Sequence, residues 1–179
     1  MGGDQKNVAY PFDHLIYSVG HCPPRGIDSN LARELSRKEI SEELQRHAIG
    51  LVHIFELFGK HTKDNGSLTV INSAITDIPD NAWPENLHIG PYAAACAAKH
   101  ELVRAMRHEN PQLRVNELQF GSIESDFFNG CTFRPPVILP MKRVVDEVEA
   151  AINSPACYNK TLRATSPEEA VYRKSPHTA

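Results

Sequence analysis

The chain has 179 residues, 41% hydrophobic and 23% charged, which is enough apolar material to bury one core and argues against a disordered chain. Its net charge of −3, with basic residues scattered along the sequence, provides no electrostatic footprint for nucleic acid or anionic lipid. No apolar run reaches the roughly 18–20 residues that span a bilayer, and MGGDQKNVAYPFD lacks the apolar centre of a secretion signal, so a cytoplasmic protein without membrane contact is expected.

The first element is a short apolar run, His14 to Val19, closed by Gly20 and read as a buried strand. Pro23, Pro24 and Gly26 break the chain. Asp28 or Ser29 then caps a helical region in which Leu31, Leu35, Ile40 and Leu44 share related faces, continuing through Ile49, Val52, Phe55 and Phe58 to Gly59. Asp64-Asn65-Gly66 predicts a turn, and Ser67 to Ser73 a β-branched strand. A long loop, Ala74 to Pro91, is punctuated by Pro79, Pro84 and Pro91. A helix is expected from Tyr92 to Glu109 and a strand from Arg114 to Phe120, ended by Gly121. After a Phe/Pro-rich loop, Val144, Val145, Val148 and Ile152 mark an amphipathic helix over Met141 to Asn153. Lys160 to Thr165 reads as a last edge strand, and the polar tail after Ser166 as loose, with a helical turn at Pro167.

Strands alternating with helices across long crossovers predict an α/β fold with a parallel sheet and right-handed connections. The expected division is a flexible segment over 1–12, one α/β domain over 13–165 and a polar tail over 166–179.

Several segments, in order, resemble the C-terminal half of the short-chain dehydrogenase/reductase family. Tyr17-Ser-Val-Gly20 stands where the family has Asn-Asn-Ala-Gly, and His47-Ala-Ile-Gly50 where it has Asn-x-x-Gly. Val70-Ile-Asn-Ser73 resembles the strand that delivers the catalytic serine, and Tyr92 the catalytic tyrosine. Phe120-Gly-Ser-Ile-Glu-Ser125 is similar to the Pro-Gly-x-Ile-x-Thr loop beside nicotinamide. The resemblance implies a partial Rossmann-like, doubly wound parallel sheet of three to four strands, lacking the N-terminal dinucleotide-binding half. It implies Ser73, Tyr92, His47 and Lys99 as the catalytic set, and Gly20, Gly121, Ile123 and Ser125 as the cofactor-facing set.

In the family, a lysine one turn after the tyrosine lowers its pKa; here that position is Cys96. A tyrosine of ordinary pKa, about 10, is a poor base near neutrality without a neighbouring cation. Lys99, seven residues after Tyr92, lies within about 20° of the same helix face but two turns away. No GxxxGxG or GxGxxG occurs, so NAD(P) is implied by family resemblance only and no cofactor is expected on this chain alone.

Each candidate has a plainer account. Ser73 and Tyr92 can satisfy backbone groups and fill a cleft; His47 is more simply a hydrogen-bonded helix histidine, against a role as proton relay or cleft acid/base. Cys96 fits a small buried residue better than a nucleophile. Trp83 and His88 on the long loop could touch a ligand, although Trp83 better suits covering the core. Phe127, Phe128 and Phe133 suit a hydrophobic substrate rim or core packing equally. His14, His21 and His53 lack metal-ligand spacing, the loop residues Glu124 and Asp126 are solvated, and Cys22, Cys96, Cys131 and Cys157 form no CxxC pair, so no metal and reduced thiols are expected.

The functional expectation is a short-chain dehydrogenase/reductase-like protein acting on a small carbonyl or alcohol metabolite, with autonomous NAD(P) redox activity disfavoured. Two alternatives stay open: a cofactor-free isomerase, dehydratase or cyclase using the Ser/Tyr cleft, and a non-catalytic assembly partner. The family's first strand would flank His14 to Val19, so a homodimer, a cover from the N-terminal segment or pairing with a longer relative is expected.

Overall fold

The computed structural model describes residues 11–20, 37–77, 90–125 and 137–162, with Glu39 and Lys60 described by backbone alone. The break and cap expected at 23–29, the apolar positions Leu31 and Leu35, and His21, Cys22, Trp83, His88, Asp126, Phe127, Phe128, Cys131, Phe133 and Pro167 lie outside the described residues.

Among the described residues four strands form one parallel sheet in the order β1-β2-β3-β4: β1 Phe12–Tyr17, β2 Thr62–Ser73, β3 Arg114–Phe120 and β4 Asn159–Leu162. Helix α1 (Arg37–Leu44) runs through a π-helical stretch, Gln45–Ile49, into α2 (Gly50–Phe58); α3 spans Gly90–Glu109 and α4 Met141–Asn153. Strand β3 and helix α4 have the bounds their patterns predict. The other elements differ at their ends: β1 starts at Phe12 and stops at Tyr17, α3 starts two residues early, and β4 starts at Asn159.

The turn expected at Asp64-Asn65-Gly66 lies inside β2. Phe12 faces Thr62 while His14 faces Ser67, so β2 carries extra residues at this point. Asn65 takes a left-handed φ of 64°, and Gly66 fits only without a side chain, because a Cβ would come within 2.7 Å of the Asp13 carbonyl oxygen. The turn residues make a bulge here, because the strand partner continues past them. Lys63 fastens the same corner with hydrogen bonds of 2.9 and 3.0 Å to the Asp13 carboxylate.

Adjacent residues of β3 serve opposite layers. The Asn116 amide donates to the Ala151 carbonyl in α4, whereas Glu117 meets His100 in α3. One core, formed by Tyr17, Leu51, Leu68, Val70, Val103 and Val115, lies beneath α2 and α3. The other joins Leu118, Phe120 and Leu162 to Val144 and Ala151 of α4. Strand order advances in one direction while the covering helix changes face, so the β3-α4-β4 crossover has the opposite hand to β2-α3-β3. The expectation of right-handed connections throughout is therefore corrected: Leu118 and Phe120 present an apolar face that only a helix on the second layer covers.

Helix α3 buries Ala95, Cys96, Lys99, Val103 and Met106, a stripe of helical spacing whose small members let it approach the sheet. No described helix is long and apolar enough to cross a membrane.

Candidate functional site

The C-terminal ends of parallel strands are where open α/β sheets place ligands. Here β2 ends at Ser73, α3 opens with Tyr92 in its first turn, and the π-helical stretch carries His47. That stretch is defined by the Gly50 N–H reaching the Gln45 carbonyl five residues back, an extra residue per turn of the kind that recurs at functional sites. It buries His47 at 1% exposure with its ring edge-on to Tyr92, centroids 5.2 Å apart and planes at 87°. Gly20 closes the group: a Cβ there would sit 3.9 Å from His47 Cε1.

Glu43, one turn before His47, is also buried, with its Oε2 3.6 Å from His47 Nε2 and its Oε1 3.4 Å from Arg46. Burial pushes the Glu43 carboxyl above the usual carboxylate range, opposed by the Arg46 charge and reinforced by Glu42. The sequence signal for this pair is its i,i+4 spacing; Glu43 went unnoticed because charged helix residues ordinarily face solvent.

Burial lifts the Tyr92 phenol far above the tyrosine range, with the Cys96 thiol and Glu43 adding to the effect and a hydrogen bond with Ser73 partly offsetting it. None of these groups is a cation, so Tyr92 is held as a protonated hydrogen-bond donor. Cys96 is 1% exposed, and burial raises its thiol despite the Lys99 charge, the Tyr92 hydrogen bond and the Ser73 backbone. Lys99 stands elsewhere: its ammonium donates to the Val19 carbonyl at 3.3 Å and the Ile71 carbonyl at 3.0 Å, and lies 5.8 Å from the centre of the Tyr17 ring. Burial lowers its pKa, with Cys96 and Glu117 opposing.

His47, Ser73 and Tyr92 thus come together with Gly20 beside them, while Lys99 ties the ends of β1 and β2. Gly121, Ile123 and Ser125 follow β3 at the same end of the sheet. The Gly121 N–H donates to the Leu162 carbonyl at 2.8 Å, Ile123 bridges to Leu139, and Ser125 Oγ donates to the Ile123 carbonyl at 3.4 Å. His14 bonds Ser67 through Nδ1 at 2.9 Å, apart from the cluster. Among the described residues no group of three His, Cys, Asp or Glu side chains is placed to hold a metal.

Asn72 is the residue that the sequence reading passed over. Its Nδ2 donates to the Cys96 carbonyl at 3.0 Å and to Glu117 Oε1 at 2.9 Å, and its Oδ1 accepts the Ser73 N–H at 2.9 Å. It fixes the end of β2 against α3, which positions Ser73 for Tyr92.

No family model and no curated protein matches the sequence. Among solved structures, an alcohol dehydrogenase from the archaeon Thermococcus sibiricus, complexed with 5-hydroxy-NADP, is 21% identical with a TM-score of 0.70, matching 87% of this chain and 64% of its own. The chain has the short-chain dehydrogenase/reductase fold. A short-chain dehydrogenase from Burkholderia cenocepacia in complex with NADP shares that fold at 15% identity and a TM-score of 0.69, covering 86% of this chain and 64% of its own. So does a dehalogenation enzyme, at 13% identity and a TM-score of 0.67, covering 86% and 68% respectively. The chain therefore spans less than two thirds of the length of either of these dehydrogenases.

The short-chain dehydrogenase fold implies a dinucleotide, and the residues at the tyrosine do not fit one as the resemblance would require. The position of the expected lysine is a buried thiol, and the nearest lysine nitrogen on the helix is engaged by two strand carbonyls.

Proposed function

We propose that the Ser73–Tyr92 cleft performs proton transfer on a small carbonyl or alcohol compound, as in an isomerase or dehydratase, and does not by itself support hydride transfer. The observation that carries this reading is a tyrosine whose phenol is kept protonated, set edge-on to a histidine backed by a buried glutamate. A phenol that retains its proton serves as an acid or hydrogen-bond donor. Tyr92 and Ser73 would hold a substrate carbonyl oxygen by two hydrogen bonds, and His47, oriented by Glu43, would accept the proton leaving the adjacent carbon. His47 exchanges that proton with solvent and returns one to the product, or in a dehydration delivers it to the departing hydroxyl to release water, so the step needs no oxidant. The dehalogenation enzyme among the matches is consistent with this fold hosting chemistry other than alcohol oxidation.

The experiment is proton–deuterium exchange into small hydroxyketones, followed by NMR with purified protein and no nucleotide. Exchange is expected with the wild type and is lost in Tyr92→Phe and His47→Gln. Absence of exchange in the wild type, its persistence in Tyr92→Phe, or tight binding of NADPH or NADH in a fluorescence titration would overturn the reading.

A second reading rests on β1. Among the described residues this strand pairs only with β2, Ile16 and Val19 are 46% and 45% exposed, and a groove of about 490 Å³ beside them is lined by Phe12, Ile54 and Phe58. Such an edge suits pairing with another polypeptide, a second copy or a longer relative. Light scattering is expected to show a dimer that Ile16→Lys dissociates; a monodisperse monomer, with no longer relative co-purifying, sinks this reading.

A further inference from the structure

A second cluster of chemically capable side chains lies apart from Tyr92, where α3 meets β3 and β4. It lines a groove of about 370 Å³ whose walls include Asp77, His100, Arg104, Arg107 and Thr161. At its base, Glu117 is 3% exposed with both carboxylate oxygens engaged: Oε1 accepts from Asn72 at 2.9 Å and Gln119 at 3.3 Å, and Oε2 meets His100 Nδ1 at 2.7 Å. A carboxylate only accepts, so the His100 Nδ1–H donates to Glu117, with the Gln119 amide nitrogen 3.1 Å from the same Nδ1, and this tautomer leaves His100 Nε2 as the ring atom available to a ligand. The His100 side chain is 35% exposed, so that nitrogen is reachable.

The remaining groups divide by chemistry. Arg107 uses Nε on the Val115 carbonyl and one terminal nitrogen on Asn159, which leaves its other terminal nitrogen for a guest. Arg104, held at its outer end by Glu101, supplies a second guanidinium, whereas Lys160 is already paired with Glu147 at 2.7 Å. Asp77, oriented by the Thr161 hydroxyl at 2.9 Å, is an acceptor, as is His100 Nε2. A groove that offers two guanidinium groups together with two acceptors is complementary to a molecule carrying an anionic group and a hydroxyl.

We infer that this groove is a binding site for a small hydroxylated anion, a phosphomonoester or a hydroxycarboxylate, whose anionic group is held by Arg104 and Arg107 and whose hydroxyl donates to His100 or Asp77. The inference is independent of the chemistry proposed at Tyr92. Its floor is nonetheless joined to that cleft, since the amide of Asn72 bonds Glu117 on one side and the Cys96 carbonyl on the other.

Isothermal titration calorimetry of the full chain with glycerol 3-phosphate and, separately, with lactate distinguishes the two anion chemistries. At least one is expected to bind at millimolar concentration, and affinity should fall about tenfold in both Arg104→Ala and His100→Gln, in line with losing a charge-assisted hydrogen bond. Arg104 is exposed, so its variant folds independently of any role for His100. No binding of either compound, or unchanged affinity in Arg104→Ala or in a folded His100→Gln protein, overturns the assignment.

Discussion

The hydroxyl of Tyr17 occupies the space that a side chain on Gly50 would need: an added Cβ would lie 2.8 Å from that oxygen and 3.3 Å from the Gln45 carbonyl. The hydroxyl is not free to leave, because it donates to the Arg46 carbonyl at 2.8 Å from a ring that is 3% exposed. Gly50→Ala gains about 1 kcal/mol of helix propensity but incurs about 1–3 kcal/mol of overpacking. A net loss of about 1 kcal/mol is expected by urea denaturation. In a Tyr17→Phe background the same substitution should be less costly, and additivity of the two changes would refute the contact.

Asn116 is fully buried and holds three elements at once. Its amide donates to Thr69 Oγ1 at 3.1 Å and to the Ala151 carbonyl at 3.0 Å, and its oxygen accepts the Tyr158 N–H at 2.9 Å. Asn116→Leu leaves buried partners unsatisfied and should cost about 2–4 kcal/mol. Amide exchange of Tyr158 should accelerate more than that of Val70, which lies in the other core; equal acceleration at both would contradict the local role.

The thiols should differ sharply. Burial raises the Cys96 pKa, so its thiolate is scarce near neutral pH and sterically shielded, while Cys157 is exposed. Peptide mapping after brief alkylation should find Cys157 modified and Cys96 intact until denaturant is added. Rapid native modification of Cys96 would show that the helix face is open.

Glu147 links folding to pH. Burial alone would raise its carboxyl, yet the Lys160 and Tyr158 hydrogen bonds at 2.7 and 2.9 Å, with the charges of Lys160 and Arg143, hold it below the ordinary range. A depressed folded-state pKa means that its stabilisation is present above the unfolded value of 4.5 and disappears as pH falls through the lower folded value. Lys160 is 39% exposed, so solvent screening keeps the effect modest. Glu147→Gln should therefore destabilise by about 1 kcal/mol at neutral pH, with the gap to wild type closing below about pH 4. A gap that is independent of pH would exclude ionisation as its origin.

The legible parts of the fold were those where one physical signal dominated. Strand β3 is buried almost throughout and α4 sets Val144 and Val148 one turn apart against the second core, and both match their expected bounds, although Val145, read onto the same apolar face, is 46% exposed. Thr62 to Gly66 misled because turn residues can equally form a bulge, and only the partner strand decides between the two. The π-helical residue at His47 leaves no mark in residue type, and the change of face at α4 depends on which layer needed covering. The family resemblance named Ser73, Tyr92 and His47, and the fold brings these three together. Glu43, Asn72 and Glu117 escaped because a polar residue inside a strand or helix declares itself only when its distant partner is known, as Glu117 does across 45 residues to Asn72.

On β2, Asn72 looks toward α3 while its neighbours Ile71 and Thr69 serve the opposite layer, so both cores and the cleft read this strand in strict alternation. Removing one residue between Gly66 and Ser73 would turn that wall inside out, sending Leu68 and Val70 to the layer of Thr69 when the missing residue lies beyond them, and turning Asn72 away from α3 when it lies before it. This stretch can therefore evolve by replacement but not by change of length, which makes it the fixed ruler against which the rest of the molecule is measured.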